Sequence, residues 1–218
     1  MPGGSETIPL NHICQRNLID DHPRKPTMSN ESARATLTPP VGKHDHIQGS
    51  PTATVTLVEY GDYQCPFCGN AQPAIKKLQK HYGDQLRFVF RNFPQVRVHA
   101  YAQRAAEAAE AAGAQGKFWE MHDYLYEHPE ALDVENLARA AGVLGLDKVK
   151  FDREVAERVY SKRVQQDVQS GNASGVGGTP TIFINGVRSD DDDDFVTLKR
   201  KIEEAILLGK ASKGERHS

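Results

Sequence analysis

Residues 54–68 read TVTLVEYGDYQCPFC, and they place two cysteines where a short apolar segment gives way to a helical one. The apolar and β-branched residues from Thr54 to Tyr60 predict a strand. Cys65 stands at the start of the following helix, where unpaired backbone N–H groups and the positive end of the helix dipole favour thiolate over thiol. Cys68 lies one turn later on the same helix face, within reach of a disulfide. The segment predicts a nucleophilic cysteine and a partner, which together exchange two electrons.

Length and composition indicate a globular protein. The chain has 218 residues, of which 38% are hydrophobic, and this is enough to form a core. The formal net charge of -2 gives no general attraction to nucleic acid or to an anionic membrane. The third cysteine, Cys14, lies far along the chain from the other two, so the cysteines do not form the framework of a small secreted protein. We therefore interpret the Cys65/Cys68 pair as reactive rather than structural.

The amino-terminal region carries no recognisable targeting segment. Residues 1–53 lack the apolar run of a secretory signal, and no stretch of the sequence approaches the ~20 apolar residues that cross a bilayer. We expect a cytoplasmic protein with no membrane partner. Residues 1–50 are rich in Pro, Ser, Thr and charge, which predicts a disordered or loosely packed arm. Met28 is a second plausible initiator, so our hypothesis is that residues 1–27 are an over-extended start.

The spacing of apolar residues predicts the order of elements after the cysteines. A helix follows from Pro66 to Gly83, and residues 86–90 predict a second strand, which completes a parallel βαβ unit with a right-handed crossover. Residues 99–170 form an all-helical block, in which the apolar positions from Phe151 to Val168 predict one final long helix.

The pattern of strands returns near the carboxyl end. Residues 181–184 predict a strand, and Asn185-Gly186 is a dipeptide preferred in the type I′ turn of a hairpin. Apolar positions from Phe195 predict a closing helix. Residues 209–218 are expected to form a flexible tail.

This order of elements and three motifs resemble the DsbA-like family of the thioredoxin fold. The motifs are residues 55–68, Phe118-Trp119-Glu120-Met121-His122 and residues 177–186, and the resemblance covers about residues 41–208. It implies an α/β thioredoxin-like fold, βαβ then ββα, with an inserted all-helical subdomain. We place that domain at residues 51–208 and the insert at about residues 99–170.

The resemblance also implies roles for individual residues. Cys65 attacks a substrate disulfide or forms part of one that is attacked, and Cys68 resolves the mixed disulfide. Thr179-Pro180 is expected to be a cis peptide bond beside the cysteines. The residues expected to contact substrate are Pro66, Phe67, Thr179 and Pro180.

Glu59 is the third catalytic candidate. It lies six residues before Cys65 in the first strand, in a position that resembles the family's buried acid near the resolving thiol. A carboxylate there could accept the proton that Cys68 loses when it attacks. The alternative is a carboxylate at the edge or end of the sheet with no catalytic role.

Phe67 bears on the direction of electron flow. It stands where the strongly oxidising DsbA-like members have histidine, so we expect a less oxidising disulfide. In a reducing cytoplasm the pair would act on protein substrates as a reductase or isomerase. Cys-Pro-Phe-Cys is also similar to the Cys-Pro-Tyr-Cys of glutaredoxins, which makes glutathione a candidate electron donor. No bound cofactor is expected.

Three other interpretations compete with this one. The two cysteines could be half of a zinc site, but the remaining candidates, Cys14, His44 and His46, lack the spacing of metal ligands, so we predict no metal. A chaperone-like module could hold peptides around Pro180 without turnover. A glutathione-dependent transferase or isomerase acting on small molecules could use the same fold, although the second cysteine favours disulfide exchange.

Overall fold

The structure is a computed structural model that describes residues 35–190 and 194–214, the last five by their backbone alone. Within these residues the strands are β1 (His46–Gln48), β2 (Val55–Gly61), β3 (Leu86–Asn92), β4 (Thr181–Ile184) and β5 (Val187–Ser189). The helices are α1 (Pro66–Tyr82), α2 (Ala102–Gly113), α3 (Phe118–Glu127), α4 (Val134–Val143), α5 (Lys148–Ala156), α6 (Ser161–Ala173) and α7 (Phe195–Gly214). The predicted α/β fold, βαβ then ββα with a helical insert, is confirmed.

A five-stranded sheet with the order β1-β3-β2-β4-β5 forms the centre of the domain. β2 pairs in parallel with β3, and the connection between them is α1. β2 pairs antiparallel with β4 on its other side, so β2 is an interior strand of the sheet. This position buries most side chains of β2 and sets the cysteines at the end of a fixed strand.

Small side chains of the helical insert pack in the same core as residues of the sheet. Five buried alanines of α2 pack in the core, at positions Ala105, Ala108, Ala109, Ala111 and Ala112. Alanine allows α3 to approach α2 closely, and α3 contributes Met121 and Leu125 to the same core. None of the described helices is both long and apolar enough to cross a lipid bilayer.

The predicted hairpin turn is present between β4 and β5. Asn185 and Gly186 both have positive φ, 49° and 82°, as a type I′ turn requires. Gly186 has no Cβ, which makes this backbone conformation accessible at low cost.

The prediction of a single long helix from Phe151 to Val168 is wrong. The chain forms two helices, α5 and α6, because Arg158 between them adopts a left-handed conformation with φ 56°. The Arg158 guanidinium donates a hydrogen bond of 2.8 Å to the buried Glu107 of α2. Val159, which the apolar pattern had placed in the core, is 51% exposed.

Residues 35–50 are also more ordered than expected. β1 adds an antiparallel edge strand beside β3, and Leu37 donates a backbone hydrogen bond of 2.8 Å to the Gly186 carbonyl. Asp45 lies 2.7 Å from the buried Arg91 guanidinium, which needs an anionic partner inside the protein. The expectation of a loose arm therefore fails for this part. Residues 1–34, with the Met28 hypothesis, lie outside the described residues.

The closing helix ends later than the sequence predicts. α7 continues to Gly214, so residues 209–214, predicted as flexible tail, belong to the closing helix. The last four residues of that tail lie outside the described part of the chain.

Candidate active site

Cys65 caps the amino terminus of α1. Its backbone is extended, with φ -78° and ψ 120°, and its N–H donates to the Asp62 carbonyl at 3.1 Å. The Asp62 carboxylate accepts a second hydrogen bond of 2.8 Å from the Gln64 N–H, which fixes the turn before the helix. Pro66 occupies the first turn, where its missing N–H leaves no bond unmade. The next two N–H groups, of Phe67 and Cys68, face the sulfur.

The surroundings of Cys65 favour its thiolate. A hydrogen bond from the Cys68 thiol, helped by the backbone N–H groups of Cys68 and Phe67, lowers the pKa of Cys65 from 9.0 to about 5. Burial acts in the opposite direction, because the residue is only 6% exposed. The two N–H groups fall short of capping hydrogen-bond geometry, so they act on the sulfur as dipoles. At neutral pH Cys65 is therefore ionised.

Cys68 has the opposite character. It is fully buried, and burial, the hydrogen bond to Cys65 and the nearby charge of Glu59 together raise its pKa well above the ordinary value. Its sulfur also accepts a hydrogen bond of 3.5 Å from the Asp62 N–H. The two sulfurs are not joined in the structure. The reduced pair thus consists of one thiolate and one thiol that donates to it.

The segment around Pro180 lies against the nucleophile. The Thr179-Pro180 peptide bond is cis, and the Thr179 carbonyl oxygen is 3.3 Å from the Cys65 sulfur. Phe67 and Pro66 are exposed beside the sulfur, Phe67 with 71% of its surface open to solvent. The four residues expected to contact substrate are therefore brought together around Cys65.

Glu59 is fully buried in the central strand of the sheet, with Phe90 of β3 and Ile182 of β4 as its register partners. The alternative of a carboxylate at a sheet edge does not agree with this position. Its Oε2 accepts a hydrogen bond of 2.9 Å from Gln72 Nε2. The Glu59 charge is among the causes that raise the pKa of Cys68. The Glu59 carboxylate thus acts electrostatically on the resolving thiol.

Several polar residues of the site carried no usable sequence signal. Asp62 follows the predicted strand as an ordinary turn residue, yet its carboxylate also accepts hydrogen bonds from the Gln95 N–H at 2.8 Å and from His99 at 2.7 Å. Gln72 lies on a predicted helix and His122 in an aromatic motif, and neither position indicates contact with the other. These residues meet only through tertiary packing.

The histidines considered as metal ligands lie elsewhere. His46, in β1, bonds to the Glu110 carboxylate at 3.0 Å and stacks on the Phe118 ring. Among the described residues no group of three or more His, Cys, Asp or Glu side chains is arranged to hold a metal ion. Cys14 is outside the described residues.

Comparison with known proteins gives a family and a set of related sequences. A family model described as thioredoxin matches residues 42–204. The Na(+)/H(+) antiporter NhaA 3 of Salinispora tropica is 49% identical over 144 residues, which are 66% of this chain and 22% of that protein. The Na(+)/H(+) antiporter NhaA 1 of Mycobacterium sp. (strain KMS) is 43% identical over 178 residues, 79% of this chain and 29% of that protein. The chain thus spans about a quarter of the length of these relatives.

Solved structures share the fold. Oxidised BdbD from Bacillus subtilis superposes with a TM-score of 0.71 at 24% identity, covering 80% of this chain and 99% of BdbD. A thioredoxin-like oxidoreductase from Silicibacter pomeroyi DSS-3 superposes with a TM-score of 0.67 at 25% identity, covering 75% of this chain and 93% of that protein. The α-DsbA1 protein of Wolbachia pipientis superposes with a TM-score of 0.69 at 18% identity, covering 79% of this chain and 96% of that protein.

Proposed function

The chain belongs to the thioredoxin family and has the fold of DsbA-like thiol-disulfide oxidoreductases, and on this premise we propose that it exchanges disulfides with protein substrates through Cys65 and Cys68. The observation that carries the proposal is the unequal acidity of the two sulfurs. Cys65 is a thiolate at neutral pH, whereas Cys68 keeps its proton. The thiolate is the reactive species in thiol-disulfide exchange.

The proposed reaction has two steps. The Cys65 thiolate attacks one sulfur of a substrate disulfide, which forms a mixed disulfide and releases the other substrate sulfur as a thiolate. Cys68 then gives its proton to Glu59 and attacks the Cys65 sulfur, which releases the second substrate thiolate. The substrate gains two electrons and the protein is left with a Cys65–Cys68 disulfide, which an external thiol must reduce. The reverse sequence oxidises a dithiol substrate.

The acidity of Cys65 supports work as an isomerase or reductase. Its pKa of about 5 lies between roughly 7 for thioredoxin and roughly 3.5 for DsbA. A thiolate of this acidity is also a good leaving group, so mixed disulfides dissociate readily. The exposed Phe67 side chain contributes no donor where strongly oxidising members have histidine. The cytoplasmic location that would favour the reducing direction remains a prediction from the sequence.

Exposed apolar side chains near Cys65 support protein substrates. Phe67 is on the active-site helix, and Val96 and Val98, 60% and 74% exposed, are on the loop that follows β3. Hydrogen bonds from Gln95 and His99 to Asp62 tie this loop to the turn before Cys65. An extended apolar polypeptide would cover these side chains and could pair with the backbone at Thr179-Pro180. Glutathione is proposed only as the electron donor.

Refolding of a scrambled, disulfide-containing protein tests this proposal, with insulin reduction as the comparison. We expect the chain to restore native disulfides in a glutathione buffer and to equilibrate with glutathione at a potential between about -270 and about -120 mV. Absence of turnover in both assays would contradict disulfide exchange. Failure of glutathione to reduce the Cys65–Cys68 disulfide, with a dithiol succeeding, would contradict glutathione as the donor.

A further inference from the structure

Four buried side chains form one chain of hydrogen bonds that ends at Glu59. The Tyr63 hydroxyl lies 3.2 Å from His122 Nδ1, and His122 Nε2 lies 3.3 Å from Gln72 Oε1. Gln72 Nε2 then lies 2.9 Å from Glu59 Oε2. None of the four residues is more than 5% exposed. These hydrogen bonds join the helical insert, through His122 of α3, to the acid whose charge acts on the resolving cysteine.

The orientation of the Gln72 amide fixes the direction of every bond, because its Nε2 faces Glu59 and its Oε1 faces His122. Burial raises the pKa of Tyr63 well above its ordinary value, so its hydroxyl keeps its proton and is available as a hydrogen-bond donor. Burial lowers the pKa of His122 from 6.5 to about 3, so the ring is neutral and carries one proton. This proton is on Nε2, because that nitrogen faces the Gln72 Oε1, which can only accept. That N–H donates to Gln72 Oε1. His122 Nδ1 is then unprotonated and accepts a hydrogen bond from the Tyr63 hydroxyl.

A donor held against Glu59 stabilises the ionised carboxylate in a place where burial favours the neutral acid. Titratable groups whose charges act in this region include Cys68 and Lys76 on α1, Tyr63 and Asp62 after β2, Tyr126 and His122 on α3, and His46 on β1. On the strands, the register partners of Glu59 are the apolar Phe90 and Ile182. Gln72 therefore directs an N–H at Glu59 from the adjacent helix.

We propose that Gln72 and His122 are positioning residues for the resolving step, holding Glu59 ionised and oriented to take the Cys68 proton. The inference rests on the proposed disulfide exchange. In that step the proton moves from the Cys68 sulfur to the Glu59 carboxylate, and the new thiolate attacks the Cys65 sulfur. The Cys65–Cys68 bond forms while the bond from Cys65 to the substrate breaks, and the substrate leaves with the electron pair. No proton passes through Gln72.

Ellman's reagent reports the reactions of the two cysteines as two successive kinetic phases. In the full chain carrying Cys14→Ser, Cys65 attacks the reagent and releases one thionitrobenzoate in a phase that depends on reagent concentration. Cys68 then resolves the mixed disulfide and releases a second thionitrobenzoate in a unimolecular phase. The occurrence of both releases in the parent tests the proposed function, and the rate and pH midpoint of the second phase in the variants test Glu59 and its partners.

The variants remove one donor at a time. A cavity of about 260 Å³ lies against Gln72 and His122, so alanine would admit water, and Gln72→Leu is the better choice. His122→Leu removes the donor to Gln72, whereas His122→Gln keeps an N–H near the Nε2 position. Gln79→Leu is the matched control, because Gln79 is on the same helix and loses a hydrogen bond of 2.9 Å to Gln48 instead.

We expect Gln72→Leu and His122→Leu to move the pH midpoint of the second phase upward by about one unit, because Glu59 becomes a weaker acid, and to slow that phase about tenfold at pH values well below the parent midpoint. The first phase should stay within about twofold of the parent, since a structural defect would affect both phases. His122→Gln should restore the second phase, and Gln79→Leu should resemble the parent.

Second phases with the parental rate and pH midpoint in both leucine variants would overturn the inference. If Gln72→Leu does not fold, the comparison of His122→Gln with His122→Leu tests the inference. Equal second phases in these two variants would then overturn it. A parent that releases thionitrobenzoate from Cys65 but shows no second release would instead overturn the proposed function.

Discussion

Replacing Cys65 by serine is expected to abolish disulfide exchange, with a rate loss of about a thousandfold or more, because a serine hydroxyl is not ionised near neutrality and cannot replace a thiolate. The site offers no second nucleophile, since Cys68 is fully buried and its pKa is raised. The measurement is the rate of insulin reduction and of scrambled-protein refolding by Cys65→Ser, compared with the parent.

Cys68→Ser is the matched control for this loss. It keeps the attacking thiolate but removes the resolving thiol, so a mixed disulfide with substrate should accumulate and be visible by mass spectrometry without reductant. Equal refolding yields with Cys65→Ser and the parent, with insulin reduction by neither, would favour the chaperone-like alternative. Full turnover by Cys68→Ser would favour a glutathione-dependent enzyme that needs one cysteine.

The reduced protein is expected to gain stability over the oxidised protein as pH rises from 5 to 9. Folding lowers the pKa of Cys65 from 9.0 to about 5, so its contribution is present above that window and is lost as pH falls through it. The slope is about 1.4 kcal/mol per pH unit, which gives about 3 kcal/mol at pH 7. The oxidised protein has no Cys65 thiol to ionise, so it lacks this contribution.

Urea unfolding of both redox forms between pH 5 and pH 8 measures this difference. Groups that titrate alike in the two forms cancel in the subtraction, and the upper limit avoids ionisation of Cys68 in the unfolded chain. The Cys65→Ala variant under reducing conditions is the control. Its free energy of unfolding should lack the rise with pH that is expected of the reduced parent. A difference between the two forms that does not change with pH would contradict the expected linkage.

The sequence was sufficient for the parts of the fold that local patterns determine. The strand from Thr54, the helix from Pro66 and the turn at Asn185-Gly186 all follow from spacing and from residues with strong local preferences. The contact of Thr179-Pro180 with Cys65 followed from the family resemblance, since 114 residues separate the two atoms that meet. Cys65 was identifiable because its chemistry depends on a helix terminus, which is a local feature.

The parts that failed depend on tertiary contacts. β1 has three residues and exists because it pairs with β3, so it leaves almost no pattern of its own. The break at Arg158 needs a positive φ at a residue that seldom adopts one, and the guanidinium contact with Glu107 spans 51 residues. Gln72 and His122 are 50 residues apart, and each is unremarkable in its own helix.

The most direct test of the unequal acidity of the two sulfurs is alkylation of each cysteine as a function of pH. The reduced protein with Cys14→Ser is treated briefly with iodoacetamide between pH 4 and pH 9, and mass spectrometry of the peptides reports each site. The structure predicts a midpoint near pH 5 for Cys65, with Cys68 unmodified over the same range. A Cys65 midpoint near about 8.5, the value of an ordinary thiol, or equal alkylation of both cysteines would contradict it.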